Sequence, residues 1–207
     1  SNPREEETES KLPEIVKNIA LIYKELGQND KALAAIETAR ASNPDDVGLI
    51  ITAANIYFEL DNKEAFKLAM SEAIEKEPNN PVLYYNLGVV SGELGEKEDA
   101  VSYYEKSIEL DPSNENSYLN LVALILDGEQ EIVNEMNNLG TSRADNLRYD
   151  ELKKVREDLY KQCVPILKDL IAINNNVEAI RTLMNIYGTL GDNPGYVEMR
   201  NLLDQQE

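Results

Sequence analysis

Residues 84–112 read YYNLGVVSGELGEKEDAVSYYEKSIELDP, a phrase whose two halves meet at Gly95 and which closes on Pro112. Pro112 is the last of three prolines spaced 34 residues apart, after Pro44 and Pro78, and each ends a similar run: ARASNP, AIEKEP and SIELDP. Setting 13–46, 47–80 and 81–114 in register aligns further columns. One holds Ile19, Ala53 and Leu87, and the next holds Ala20, Ala54 and Gly88. Then come Tyr23, Tyr57 and Ser91, followed by Gly27, Asp61 and Gly95, and later Ala39, Ala73 and Ser107. Self-similarity at a fixed period of this length is the mark of a repeat architecture.

The columns have a coherent physical reading. Ile15, Ile19, Ile22 and Leu26 recur at fours and threes, the spacing of one helix face, and predict the packing side of a first helix. Gly27 and Gly95 fall where that helix must end in a left-handed residue. The small residues at 20, 54 and 88, and at 39, 73 and 107, suit the close approach of two paired helices. Each proline follows a second helix, where its missing N–H and fixed φ stop propagation. Asp45, Asn79 and Ser113 are natural turn or cap residues. Phe66 stands in a column that otherwise holds Ala32 and Ala100, and predicts local repacking.

On these residues the chain resembles the tetratricopeptide-repeat family, most closely over 84–112, with the resemblance extending over 13 to about 204. It implies an all-α fold, a right-handed superhelical solenoid of antiparallel helix pairs with about five repeats. Residues 1–12 read as a tag remnant (Ser1-Asn2) and lead-in, and 13–207 as a single repeat domain. Its units are 13–46, 47–80, 81–114, an elongated 115–176 and a short closing unit, 177–207.

The fourth unit begins in register with Tyr118, Leu121, Val122 and Ile125, then runs on without the glycine of that column or a proline at the 34-residue mark. A fifth begins at Val177, with Ile180, Leu183, Met184, Tyr187 and Gly191 in their columns. Glu115 and Val177 are 62 residues apart, so 28 residues are inserted. Ile132, Val133, Met136 and Leu139 continue the first helix in step, and Leu152, Val155, Leu159, Cys163, Ile166 and Leu170 recur at threes and fours beyond GTSRADN (140–146). The expectation is two helices each lengthened by about 14 residues, making a hairpin arm over 127–157 that protrudes about 20 Å. Pro165 then lies within the second long helix and predicts a kink or break near 161–165. The arm reads either as a partner contact or as a spacer.

Composition narrows function. Lys and Arg number 20 against 39 Asp and Glu, a net charge of −19, which argues against nucleic acid because phosphate binding needs cations to displace counterions. An even coat of Glu on exposed helix faces accounts for the charge, and a basic partner would also suit it. No stretch approaches the ~20 apolar residues of a membrane-spanning helix. With no His and only Cys163, which sits in an apolar run, His-based triads, Cys–His pairs and the usual zinc sites are excluded. The glycines are scattered, without a phosphate-binding loop. The Asp111–Glu115 turn (DPSNE) lacks the glycine and spacing of a calcium loop. No catalytic residue, cofactor or metal is expected.

In the family, the first helix of each unit lines the inner face. Its inward residues would be Lys17 and Leu21; Ile51, Asn55 and Phe58; Tyr85 and Val89; Leu119 and Ala123; and Arg181 and Asn185. The family's grip on a terminal carboxylate uses Lys and Asn on the first helix and a cation on the third. Here Leu21 replaces the Asn, and Tyr85, Asn86 and Val89 offer no cation, so that grip is not expected. The apolar stripe over 51–89 suits an apolar or helical segment of another protein. The expected function is a non-catalytic scaffold that binds a peptide or helix in this groove. The alternative is a self-assembling repeat protein acting as a homo-oligomer, since the chain stops within the last second helix. The long fourth and short closing units also resemble bacterial repeat proteins, many of them exported. That points to a periplasmic or exported setting in preference to a cytoplasmic one.

Overall fold

The computed structural model describes residues 12–206, all of whose regular structure is helical. The helices are α1 (Leu12–Glu25), α2 (Asn29–Ser42), α3 (Val47–Glu59), α4 (Lys63–Lys76), α5 (Pro81–Glu93) and α6 (Lys97–Leu110). They continue with α7 (Glu115–Ile125), α8 (Glu129–Asn138), α9 (Arg143–Asn174), α10 (Val177–Leu190) and α11 (Asn193–Asp204). The lead-in expected at 1–12 lies outside the described residues apart from Leu12, which opens α1. The chain divides into two compact units, one ending at Leu94 and the other beginning at Gly95.

In the first unit each helix packs on the next, from α1 through α5. Ala20, Ala32, Ile36, Ala39, Leu49, Ala53 and Ile56 form one buried cluster. Four of these seven are alanines, whose Cβ-only surface lets helix backbones approach, while Ile36, Leu49 and Ile56 fill the gaps. Burying each of those three contributes about 1.5–3 kcal/mol. The turn that ends the first helix is left-handed at Gly27 (φ 67°), and Asp61 takes the same conformation (φ 55°) in the same column. Side-chain caps start the helices that follow: Asp46 accepts from the Leu49 N–H at 3.1 Å, and Asn62 from the Ala65 N–H at 3.1 Å.

One expectation fails here. Ile15, Ile19, Ile22 and Leu26 do not face the core but are 52%, 41%, 60% and 63% exposed. The side of α1 that meets α2 carries buried Ala20 with half-buried Val16 and Tyr23 instead. Periodicity reported an apolar face correctly; it cannot report whether anything lies against that face.

The second unit is built on a larger cluster in which Tyr118 and Val122 of α7 meet Tyr160, Cys163, Leu167 and Leu170 of α9, and Ile180, Leu183 and Tyr187 of α10. The working pair of the fourth repeat is therefore α7 with the C-terminal part of α9. The expected lengthening of both helices is corrected on the first: α7 stops at Ile125, and Gly128, left-handed at φ 87°, separates it from the short α8. The chain gains α8 and an extended α9 of 32 residues, about 48 Å long at 1.5 Å per residue. Of the kink or break expected near 161–165, the break does not occur: α9 is continuous through Pro165. Proline removes one rung of the helix, but Cys163 and Leu167 on either side are fully buried and hold both flanks in the core. Val155 of the expected apolar series is exposed, whereas Leu152, Cys163 and Leu170 are buried. Ser142 starts α9 through a reciprocal cap: its hydroxyl accepts from the Asp145 N–H, and the Asp145 carboxylate accepts from the Ser142 N–H, both at 3.1 Å. No helix among the described residues is long and apolar enough to cross a membrane.

Candidate functional site

The groove residues expected from the sequence fall in both units. In the first, Asn55, Phe58, Tyr85 and Val89 come together around an open cavity of about 270 Å³ between α3, α4 and α5. The four-then-three spacing that sets Asn55 and Phe58 on one side of α3 also sets Tyr85 and Val89 on one side of α5. Phe66, Asn86 and Val90 complete the lining. Phe66 is buried, and its ring lies 5.7 Å from that of Phe58 at 57°, within the range of favourable tilted aromatic pairs. The departure from alanine noted in the sequence thus supplies one wall of the cavity. Phe66, Asn86 and Val90 were not among the expected groove residues; Asn86 and Val90 adjoin Tyr85 and Val89 on α5, whereas the signal for Phe66 was the mismatch of size in its own column. The cavity is mostly apolar, with the Asn55 and Asn86 amides as its polar groups, so it can take a bulky apolar side chain while amides stand beside the backbone that carries it.

The other inward positions of this unit behave differently. Ile51 is half-buried on α3, and Leu21 is exposed on α1. Lys17 is engaged with Asp46 at 3.1 Å, its amine passing over Gly48, where a Cβ would stand 2.2 Å from the nitrogen. Lys24 pairs with Glu59 at 2.7 Å and Lys63 with Glu93 at 3.0 Å. These cations are matched by carboxylates of the same unit. In the second unit Leu119 packs against the hydrophobic cluster, while Ala123, Arg181 and Asn185 are exposed.

The hairpin of α8 and α9 has a polar centre. The Glu129 carboxylate accepts from Arg156 Nε at 2.7 Å and from the Tyr160 hydroxyl at 2.6 Å, with the guanidinium 5.2 Å from the centre of the Tyr160 ring. Burial pushes the Glu129 carboxyl up, but the hydrogen bonds from Tyr160 and Arg156 outweigh it and hold the group below its ordinary value. Nearer the tip, Arg148 grips Glu135 with two hydrogen bonds, 2.7 and 3.1 Å, and those bonds lower the Glu135 carboxyl. Beside this network Met136, Tyr149, Lys153, Glu157 and Thr189 line a smaller hollow of about 130 Å³. Cys163 lies deeper, where burial pushes its thiol from 9.0 up to about 11.

Two segments match the tetratricopeptide repeat family, residues 81–114 and 18–46. No curated protein matches the chain. Among solved structures the fold is similar to that of the MamA protein, with a TM-score of 0.62 at 16% identity over 93% of this chain and 90% of that one. It is also similar to a Bacteroides ovatus protein, at 0.58 and 21% over 89% and 99%. A third is the first TPR of Spaghetti (RPAP3) bound to the HSP90 peptide SRMEEVD, at 0.52 and 21% over 60% and 96%.

Proposed function

Because this chain is a tetratricopeptide-repeat protein, we propose that it is a non-catalytic interaction scaffold holding a peptide or helical segment of another protein on its α3–α5 face. The observation that carries this reading is the cavity of Phe58, Phe66, Tyr85 and Val89, an apolar recess framed by two amides. A soluble surface seldom gathers aromatic side chains around a hollow without an occupant for it. One similar fold holds an HSP90 peptide, which supports peptide holding as a mode. The chemistry here favours a different segment: Lys17 is committed to Asp46, no cation lines the cavity, and the chain carries a net charge of −19. The fitting ligand is anchored by a Leu, Met or aromatic side chain, and its affinity does not depend on a terminal carboxylate.

Selection from a displayed random-peptide library tests this. Recovered peptides should share a bulky apolar anchor and bind equally well with a free or an amidated C-terminus. They should lose at least about tenfold in affinity, on the order of 1.4 kcal/mol, to the double variant Phe58→Glu/Tyr85→Glu. Phe58 is exposed and Tyr85 half-buried, and a cooperative thermal transition of the variant checks that it stays folded. Equal binding to the parent and the variant would sink the proposal.

A further inference from the structure

The lining of the α3–α5 cavity is graded from rim to floor. Asn55 and Phe58 are exposed, Tyr85, Asn86 and Val89 are half-buried, and Phe66 and Val90 are only 4% and 1% exposed. A side chain entering from solvent passes the first five and stops against the last two. Val90 is ordinary for its place in the repeat, since its column holds the similar Ile56 one period earlier. Phe66 is not. Its column holds Ala32 one period before and Ala100 one period after, both wholly buried, so a methyl group is enough to close that contact in the neighbouring repeats. The second repeat carries a whole ring beyond what the position requires, and that ring lies in the floor of the cavity.

The ring is also held where it is. Phe66 shares the buried side of α4 with Ala69, Met70 and Ala73, and its outer face meets the tilted ring of Phe58. A side chain packed on both sides in this way neither swings into solvent nor retreats, so it gives the hollow a fixed depth. At about 270 Å³ the hollow is smaller than the ~300–1,000 Å³ of drug-sized ligand sites and has room for one side chain. We infer that Phe66 is the specificity-determining residue of this cavity and, resting on the reading of the cavity as a peptide seat, that the anchor it selects is an aliphatic side chain, Leu or Met, in preference to the larger Trp. An indole driven against the floor would have to displace a packed ring, and overfilling a packed site costs strain. Trimming Phe66 to the alanine of its column removes that stop. A packed interior collapses only partly around a deleted side chain, and an apolar hole of ring size accepts an aromatic guest.

The test uses the full chain and synthetic peptides of one Gly/Ser host sequence that differ only in a single central residue, Leu, Met or Trp, with affinities read by amide chemical-shift titration. The parent should bind the Leu and Met peptides at least about tenfold more tightly than the Trp peptide. Phe66→Ala should shift the Trp-to-Leu affinity ratio at least about tenfold towards Trp, and Phe66→Leu should shift it the same way by less. Met70→Ala, a deletion on the same helix at a fully buried residue outside the cavity lining, should lower the thermal midpoint and leave the ratio as in the parent. A ratio is insensitive to a general loss of folded protein, and where Phe66→Ala lacks a cooperative thermal transition the shift in Phe66→Leu decides. A ratio unmoved by the Phe66 variants overturns the inference. So does one moved equally by Met70→Ala, or a parent that holds the Trp peptide as tightly as the Leu peptide. In those cases peptide binding that is lost in Phe58→Glu/Tyr85→Glu leaves the cavity standing as the seat, whereas a parent that binds none of the three peptides sinks the seat and the inference together.

Discussion

The hairpins α3–α4 and α8–α9 are joined by opposite means. Between α3 and α4 the contact is apolar: Ile50, Ala54, Phe66, Ala69, Met70 and Ala73 are all buried. The helix α8 buries no residue fully, and its bonds to α9 are those of Glu129 and Glu135 to Arg156, Tyr160 and Arg148. Apolar burial is indifferent to pH and barely sensitive to direction, so it stabilises any geometry that excludes water. Charge-assisted hydrogen bonds fix a direction but depend on protonation and weaken with screening. The first hairpin should open only when its unit unfolds, and the second should detach at its tip while the rest stays folded.

The largest effect expected is from Leu49→Ala. It empties a fully buried site in the α2–α3 contact and should lower stability by about 2–5 kcal/mol in urea unfolding. A loss well under 1 kcal/mol would mean that the alanine-rich contact collapses around the gap, and the contrast with α8 would fall.

Acidification should act on the other hairpin. Glu129 and Glu135 are held below the ordinary carboxyl value of 4.5 by their partners. A carboxylate lowered in the folded state contributes stability that is fully present above its unfolded value and disappears as pH falls through its folded value. Below about 4.5, amide exchange in α8 should therefore quicken progressively, ahead of exchange in α3 and α4. Loss of protection in all three helices at one pH would break the contrast.

The smallest effect expected is from Glu129→Gln, which keeps an acceptor and removes the charge. It should cost about 1 kcal/mol, read as severalfold faster exchange confined to α8 with a nearly unchanged thermal midpoint. A shift in global stability of several kcal/mol would show that the polar centre of the α8–α9 hairpin is a keystone of the whole second unit.

Much of this fold was legible in the sequence because its determinants are local and recur. The columns of small residues, the left-handed turns at Gly27 and Asp61, and the prolines after second helices each act within one helix pair. The inserted length was legible as arithmetic, but its partition was not. Gly128 sits one residue ahead of the column occupied by Gly27 and Gly95, so alignment in register passed over the residue that ends α7. The exposure of Ile15, Ile19 and Ile22 was illegible for a different reason: burial depends on a neighbour, and the apolar spacing of α1 is the same with or without one. For the cavity, the inner positions of α3 and α5 followed from the helical period. Phe66 did not, because it reaches the hollow from α4, which the expectation assigned wholly to packing.

The buried cysteine has one consequence for how the protein can be observed. Cys163 is the sole thiol of the chain, and it lies in the core of the second unit with its ionisation pushed from 9.0 to about 11. Disulfide exchange and alkylation require the thiolate. An upward displacement of this size suppresses that form about a hundredfold at neutral pH, before access through the packed helices is counted. Each labelling event at Cys163 therefore records one opening of the second unit and none of the first. The chain carries a built-in clock, and its rate with and without a bound partner measures directly how far binding to the first unit quiets the second.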